Sequence, residues 1–163
     1  MCQVILSYQS AFAEPPWNET WSDKEIIFDL EFALSQKNPI VLVANIDKNI
    51  LGFTWGYDLP IEKFPFLEGK ISRKTNYMDE IAVTGNSRLK GIGKLLGQNY
   101  LEYLKKQGSN ECVLRTDERN LASMTLFKRL CFVPVLDNNK PIYDPEYKSR
   151  IYLKNKLGSK NGN

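Results

Sequence analysis

Apolar positions near the start of the chain recur at helical spacing. Val4, Ile5, Tyr8 and Phe12 fall on one stripe, and "EPPWNE" ends it, because proline disfavours helix both at its own position and at the residue before. In "SDKEIIFDLEFALSQ", Ser22 stands three residues ahead of Glu25, the spacing of a capping box, and Ile26, Ile27, Leu30 and Leu34 follow on one stripe. The spacing predicts two helices before any strand.

The period then changes. "PIVLVANIDKNILGFTWGY" is rich in β-branched and aromatic residues on both sides of Asp47-Lys48-Asn49, which predicts a hairpin turning at residues 47–49. Residues 58–76 mix proline, glycine, aromatic and charged residues without a period, so a long loop is expected there, of the kind that lines a substrate cleft. "YMDEIAVT" reads as a strand, and Ile92, Leu95, Leu96, Tyr100, Tyr103 and Leu104 mark one face of a helix stopped by Gly108. "ECVLRT" predicts a strand, residues 121–130 a helix, and "FVPVL" and "SRIYLKN" the last strands. The order is α-α-β-β-β-α-β-α-β-β, an α/β (α+β) pattern with no internal repeat. It implies one domain over residues 1–157 and a C-terminal tail at 158–163.

Composition narrows the chemistry. A chain of 163 residues with 25% charged residues and a formal charge of +3 shows no clustering of basic groups, which argues against a nucleic-acid-binding protein. No apolar run reaches the roughly 20 residues that span a bilayer, and "MCQVILSYQS" lacks the form of a secretory signal, so no membrane association and a cytoplasmic location are expected. Cys2, Cys112 and Cys131 lack metal-ligand spacing and are read as reduced, the latter two in or near the core. The chain has no histidine, which removes Ser-His and Cys-His nucleophiles and imidazole acid-base chemistry. Proton transfer is left to carboxylates, Tyr, Lys, Cys, backbone or water, and no metal is expected.

Asp79 and Glu80 are adjacent carboxylates inside an otherwise apolar strand, and alternation puts them on opposite faces, so at most one points into a given cleft. Each is either a general base or the partner of a basic residue on a covering helix. Asp117 is a third candidate base, or a cap for the helix that follows. Downstream of the strand, "RLKGIGK" sets two glycines among Arg88, Lys90 and Lys94 at the start of a helix. Free N–H groups, a helix dipole and basic side chains at such a place suit a diphosphate.

The stretch "IAVTGNSRLKGIGKLL" resembles, at its full spacing, the signature of the GNAT (GCN5-related) acyl-CoA N-acyltransferases, with Arg88, Gly91 and Gly93 at its marked positions. "NLASMTLFKRLCF" is similar to that family's second coenzyme A segment, with Ser123 in place of the usual Ala, Phe127 in place of a Tyr proton donor and Cys131 in place of Gly. The resemblance implies a central twisted mixed sheet flanked by helices, here without the family's first strand. An open sheet edge would then favour a partner chain, and hence a homodimer.

The same resemblance implies acetyl-CoA as co-substrate and direct acyl transfer to a primary amine of a small molecule or peptide. The backbone of Ile81, Ala82 and Val83 would hold the acyl and pantetheine part. Arg88, Leu89, Lys90, Gly91, Ile92, Gly93 and Lys94 would cradle the pyrophosphate, with Asn120, Ser123 and Phe127 completing the cofactor site. "FAEPPWNETW" resembles the acceptor wall of aminoglycoside 6'-N-acetyltransferase-like members, and "MDE" the strand carboxylates of polyamine acetyltransferases. Glu14, Trp17, Glu19, Trp21 and Tyr57 are the residues suited to an amine, unless the tryptophans simply pack that segment onto the core. With Phe127 unable to donate a proton, the alternative is an acyl-CoA-binding sensor or scaffold with little or no turnover.

Overall fold

Ser22 starts the second helix as its spacing requires. Its backbone N–H donates to the Glu25 carboxylate at 2.8 Å and its hydroxyl accepts from the Glu25 N–H, so two donors at the helix start are satisfied reciprocally. In the computed structural model, which describes residues 2–15, 17–88 and 90–158, the helices are α1 (Cys2–Phe12), α2 (Asp23–Ser35), α3 (Ile92–Lys106) and α4 (Leu121–Arg129). The strands are β1 (Ile40–Ile46), β2 (Asn49–Asp58), β3 (Thr75–Val83), β4 (Glu111–Asp117), β5 (Val133–Pro134), β6 (Leu136–Asp137), β7 (Lys140–Pro141) and β8 (Arg150–Lys156). Six of them form a mixed sheet in the order β1-β2-β3-β4-β8-β5, and β6 pairs with β7.

The chain divides into two compact units, Met1–Tyr57 with Asp79–Tyr100, and Asp58–Met78 with Leu101–Asn163. In the first, β1 and β2 are antiparallel, and Ile46 pairs with Asn49, so the turn is Asp47-Lys48 rather than three residues. Asp47 takes a φ of 53°, a conformation that aspartate tolerates better than most residues. Tyr8 of α1 stacks on Phe53 and Trp55 of β2 at 5.7 and 5.8 Å. A Cβ at Gly52, the neighbour of Phe53 on the opposite face, would lie 3.1 Å from Leu96 of α3. The two helices therefore cover opposite faces of β2.

Two predicted stripes shift. Ile26 and Ala33 are the buried positions of α2, while Leu34 is exposed; on α3, Leu96, Tyr100, Leu101 and Leu104 are buried, while Leu95 and Tyr103 are exposed. The sheet contacts a narrower arc of each helix than the apolar positions span. β1 is the edge strand of the described sheet, with Val41, Val43 and Ile46 exposed.

In the second unit, β3 pairs in parallel with β4 from Thr75↔Glu111 to Tyr77↔Val113, and β4 is antiparallel to β8 along its whole length. The aperiodic segment is pinned rather than free. Phe64 and Phe66 pack on Tyr77 and Tyr152 at 5.1 and 5.2 Å, Leu67 is fully buried, and the Ser72 N–H donates to the buried Glu111 carboxylate at 2.8 Å. "FVPVL" is split between β5 and β6, and Cys131 is exposed, not in the core. Cys131 follows α4 with a φ of 64°, a left-handed position where glycine is the unstrained residue. Cys112 is buried as expected. Among the described residues no helix is long and apolar enough to cross a membrane.

Candidate active site

β3 gives Glu80 its surroundings. The residue is half-buried, its carboxylate accepts the N–H of Ile81 at 3.1 Å, and its own backbone carbonyl accepts the Thr54 hydroxyl at 2.8 Å. Burial, and after it the negative charge of Asp79, pushes the Glu80 carboxyl up to about 8; Asp29 and Glu19 add to the rise, against the single lowering bond from Ile81. The charges of Asp79, Asp29 and Glu19 all act in the same direction. A carboxyl so placed takes up and releases a proton near neutral pH. Asp79, also half-buried, supplies much of that charge.

Tyr8 was read from the sequence only as a core position of the first helix. It is 3% exposed, held by Phe12, Phe53 and Trp55 and edge-on to Trp21 at 5.5 Å. Burial, then the charges of Glu80, Asp29, Asp79 and Glu19, raise its phenol far above the ordinary value, so it stays protonated. The phenol thus sits buried within reach of the charges of those four carboxylates. Asp29, on α2, is itself raised, first by burial and then by Glu25. No spacing rule tells which carboxylates lie near a buried tyrosine; the packing of α1 on β2 decides it.

The residues expected to form an acceptor wall are fastened to this same unit. The Trp21 indole N–H donates to Glu19 at 2.9 Å, Trp17 lies 6.2 Å from Phe12, and Tyr57, 4% exposed, meets Phe32 edge-on at 6.1 Å. Both tryptophans thus pack on α1, and Trp21 holds Glu19.

The turn between β3 and α3 has the form of an anion cradle. Gly91 adopts a φ of 82° with open space where a side chain would be, and its carbonyl accepts the N–H of Leu95, so α3 begins beyond it. The N–H groups of the first turn, at Ile92, Gly93 and Lys94, are those an α-helix leaves without internal partners. Lys94 is exposed beside them, and Lys90 donates to the Asn86 carbonyl at 2.9 Å. Leu89 lies outside the described residues. The Arg88 side chain donates to Glu14 and to the Ala11 carbonyl. On the strand, Ala82 is buried and Ile81 and Val83 are half-buried.

In the second unit, Asn120 is the N-cap of α4, its side-chain oxygen accepting the Ser123 N–H at 3.1 Å. Phe127 is 4% exposed and edge-on to Phe132 at 5.7 Å. Asp117 is neither a free base nor the helix cap. It accepts from Arg119 at 2.9 and 2.7 Å, from the Arg119 backbone N–H and from Ser149, and the Arg119 bonds hold its carboxyl far below the usual range. Among the described residues no three His, Cys, Asp or Glu side chains converge as a metal site.

The model of the acetyltransferase (GNAT) family matches residues 4–132. No curated protein matches the chain at a significant level. Among solved structures, the ribosomal-protein-S18-alanine N-acetyltransferase of Escherichia coli is similar over 99% of this chain and 92% of its own, at 14% identity and a TM-score of 0.67. The PaiA N-acetyltransferase of Thermoplasma acidophilum, in complex with coenzyme A, matches 94% of this chain and 91% of its own at 15% identity and a TM-score of 0.66. YncA of Salmonella typhimurium, a putative acetyltransferase with acetyl-CoA, matches 99% and 91% at 16% identity and a TM-score of 0.67. At these identities the likeness is one of fold.

Proposed function

This chain belongs to the acetyltransferase (GNAT) family, and we propose that it transfers an acetyl group from acetyl-CoA to a primary amine of a small molecule or peptide. One observation carries the reading: Glu80 and the Gly91 turn lie on one continuous strand-turn-helix, so a group that accepts protons near neutral pH and a cradle for phosphates are built by the same segment.

An alkylamine has a pKa of about 10.4 and arrives protonated, so a base must act before it can attack. Glu80 is that base, directly or through water; Asp79 keeps its carboxyl basic. Acetyl-CoA supplies the activated acyl group: the C–N bond forms, the C–S bond breaks, and the thiolate takes a proton. The N–H groups of Ile92, Gly93 and Lys94 with Gly91, and the side chains of Lys90 and Lys94, bind the pyrophosphate. Ile81–Val83 offer backbone groups to the acyl and pantetheine part, while Asn120 and Ser123 are assigned to the cofactor by resemblance. Trp17, Glu19, Trp21 and Tyr57 form the acceptor wall, where negative charge and aromatic faces favour a cationic amine.

Calorimetry with acetyl-CoA tests the first step, and thiol release across a panel of spermidine, kanamycin and an alanyl peptide tests the second. Binding without thiol release would support the sensor reading, which the packing of Phe127 against Phe132 favours. No binding would overturn both.

A further inference from the structure

Arg88 stands at the first marked position of the glycine-containing turn, yet all three guanidinium nitrogens are engaged elsewhere. Nη1 donates to the Glu14 carboxylate at 2.8 Å, Nη2 to the Ala11 carbonyl at 2.7 Å and Nε to the Val83 carbonyl at 3.5 Å. Ala11 lies in the last turn of α1, where carbonyls lack helical partners, so the guanidinium caps that helix from a distant point in the sequence.

The same contact closes the segment that follows α1. The Asn18 N–H donates to the Glu14 carbonyl and the Glu19 N–H to the Phe12 carbonyl, so Asn18 and Glu19 are tied back to the end of α1 and to the residue that Arg88 holds. Gly85 completes the fit: a Cβ there would come within 2.8 Å of Glu14 Cδ, so the carboxylate rests directly on the backbone of the turn. With its partners 36% and 50% exposed, the ion pair alone holds little. The bond to the Ala11 carbonyl, made by a charged donor to a helix-end acceptor, is the stronger fastening.

We propose that Arg88 is a positioning residue that fastens residues 11–21, the amine wall, to the loop that takes the coenzyme A pyrophosphate, so that filling the loop orders the wall. The fastening stands on the contacts above; its coupling to coenzyme A rests on the proposed function.

Hydrogen exchange on the full chain, with coenzyme A as the probe, separates these claims. Without ligand, the Asn18 and Glu19 amides of Arg88→Ala are expected to exchange at least about fivefold faster than wild type. Arg88→Lys, which keeps one donor, should fall between them, and Glu14→Gln should change less than twofold. Coenzyme A is expected to slow exchange across residues 11–21 in wild type but not in Arg88→Ala, while the variant's Kd by calorimetry stays within about threefold.

Unchanged exchange at residues 11–21 in both Arg88 variants would overturn the fastening. Equal protection by coenzyme A in wild type and Arg88→Ala would overturn the coupling. A Kd weakened tenfold or more would make Arg88 a phosphate ligand and overturn the proposal. If wild type itself fails to bind coenzyme A, the acyl-CoA reading and the coupling fall together; the ligand-free exchange still decides the fastening.

Discussion

The Glu80 carboxylate accepts the N–H of Ile81, the next residue of its own strand, at 3.1 Å. This bond favours the charged form, yet burial and the Asp79 charge outweigh it and leave the carboxyl at about 8. A base that ionises there is half-deprotonated at mildly alkaline pH. The kcat/KM for an amine is therefore expected to rise with pH through a midpoint near 8, superposed on the amine's own ionisation. Glu80→Gln should remove that limb and lower kcat by about 10² to 10⁴-fold. An unchanged profile in Glu80→Gln would assign the proton to another group.

The same shift has a consequence for stability. The carboxyl is protonated in the folded protein between its unfolded value of 4.5 and about 8, so folding binds a proton in that window and stability declines as pH rises through it. Thermal melts of Glu80→Gln and wild type should diverge in favour of the variant between pH 5 and pH 9. A constant gap would show that Glu80 is not desolvated as its position implies.

Asp117 behaves in the opposite sense. Its carboxyl is held low by Arg119, so the stability it supplies is present above the unfolded value of 3.8 and lost as pH falls below it. Asp117→Asn is expected to cost about 1–3 kcal/mol at pH 7, since it weakens bonds from Arg119 and Ser149, and to leave kcat within a factor of about three. A loss of activity in a well-folded variant would return Asp117 to the list of bases.

Gly91 takes a φ of 82°, which a side chain makes costly by about 1–2 kcal/mol. Gly91→Ala is expected to weaken acetyl-CoA binding by about tenfold in calorimetry while the melting temperature drops only a few degrees. Unchanged affinity would separate the turn from the cofactor.

At Cys131 the direction reverses, because the residue already occupies a left-handed position at a φ of 64°. Cys131→Gly removes that strain but adds chain entropy to the unfolded state, a net gain expected to raise the melting temperature by about 1–3 °C. Cys131→Val should lower it.

Phe127→Tyr would restore the family's proton donor to a ring that packs on Phe132 with 4% exposure. The added hydroxyl is expected to cost about 1–3 kcal/mol of stability and to leave turnover unchanged. A gain in kcat of fivefold or more would show that protonation of the departing thiolate limits the wild-type reaction.

Features written in neighbouring residues were legible from the sequence. The Ser22–Glu25 capping box, the proline stop after α1, the strand that carries Asp79 and Glu80, and the glycine turn before α3 all depend on bonds or torsions a few residues apart. The family signature is local for the same reason: a diphosphate needs consecutive N–H groups, and consecutive residues supply them.

What tertiary structure alone decided is which of those residues face one another. The stripes on α2 and α3 narrowed because the sheet meets one arc of each helix, leaving Leu34, Leu95 and Tyr103 exposed. Arg88 could be placed by spacing in the turn, but its bonds to Ala11 and Glu14 span 77 and 74 residues. Tyr8 joins Glu80, Asp29 and Glu19 only because α1 packs on β2 and α2 lies beside it. Burial and mutual charge set what Glu80 can do, and both are properties of the packed molecule, since in an extended chain water would solvate each carboxylate separately.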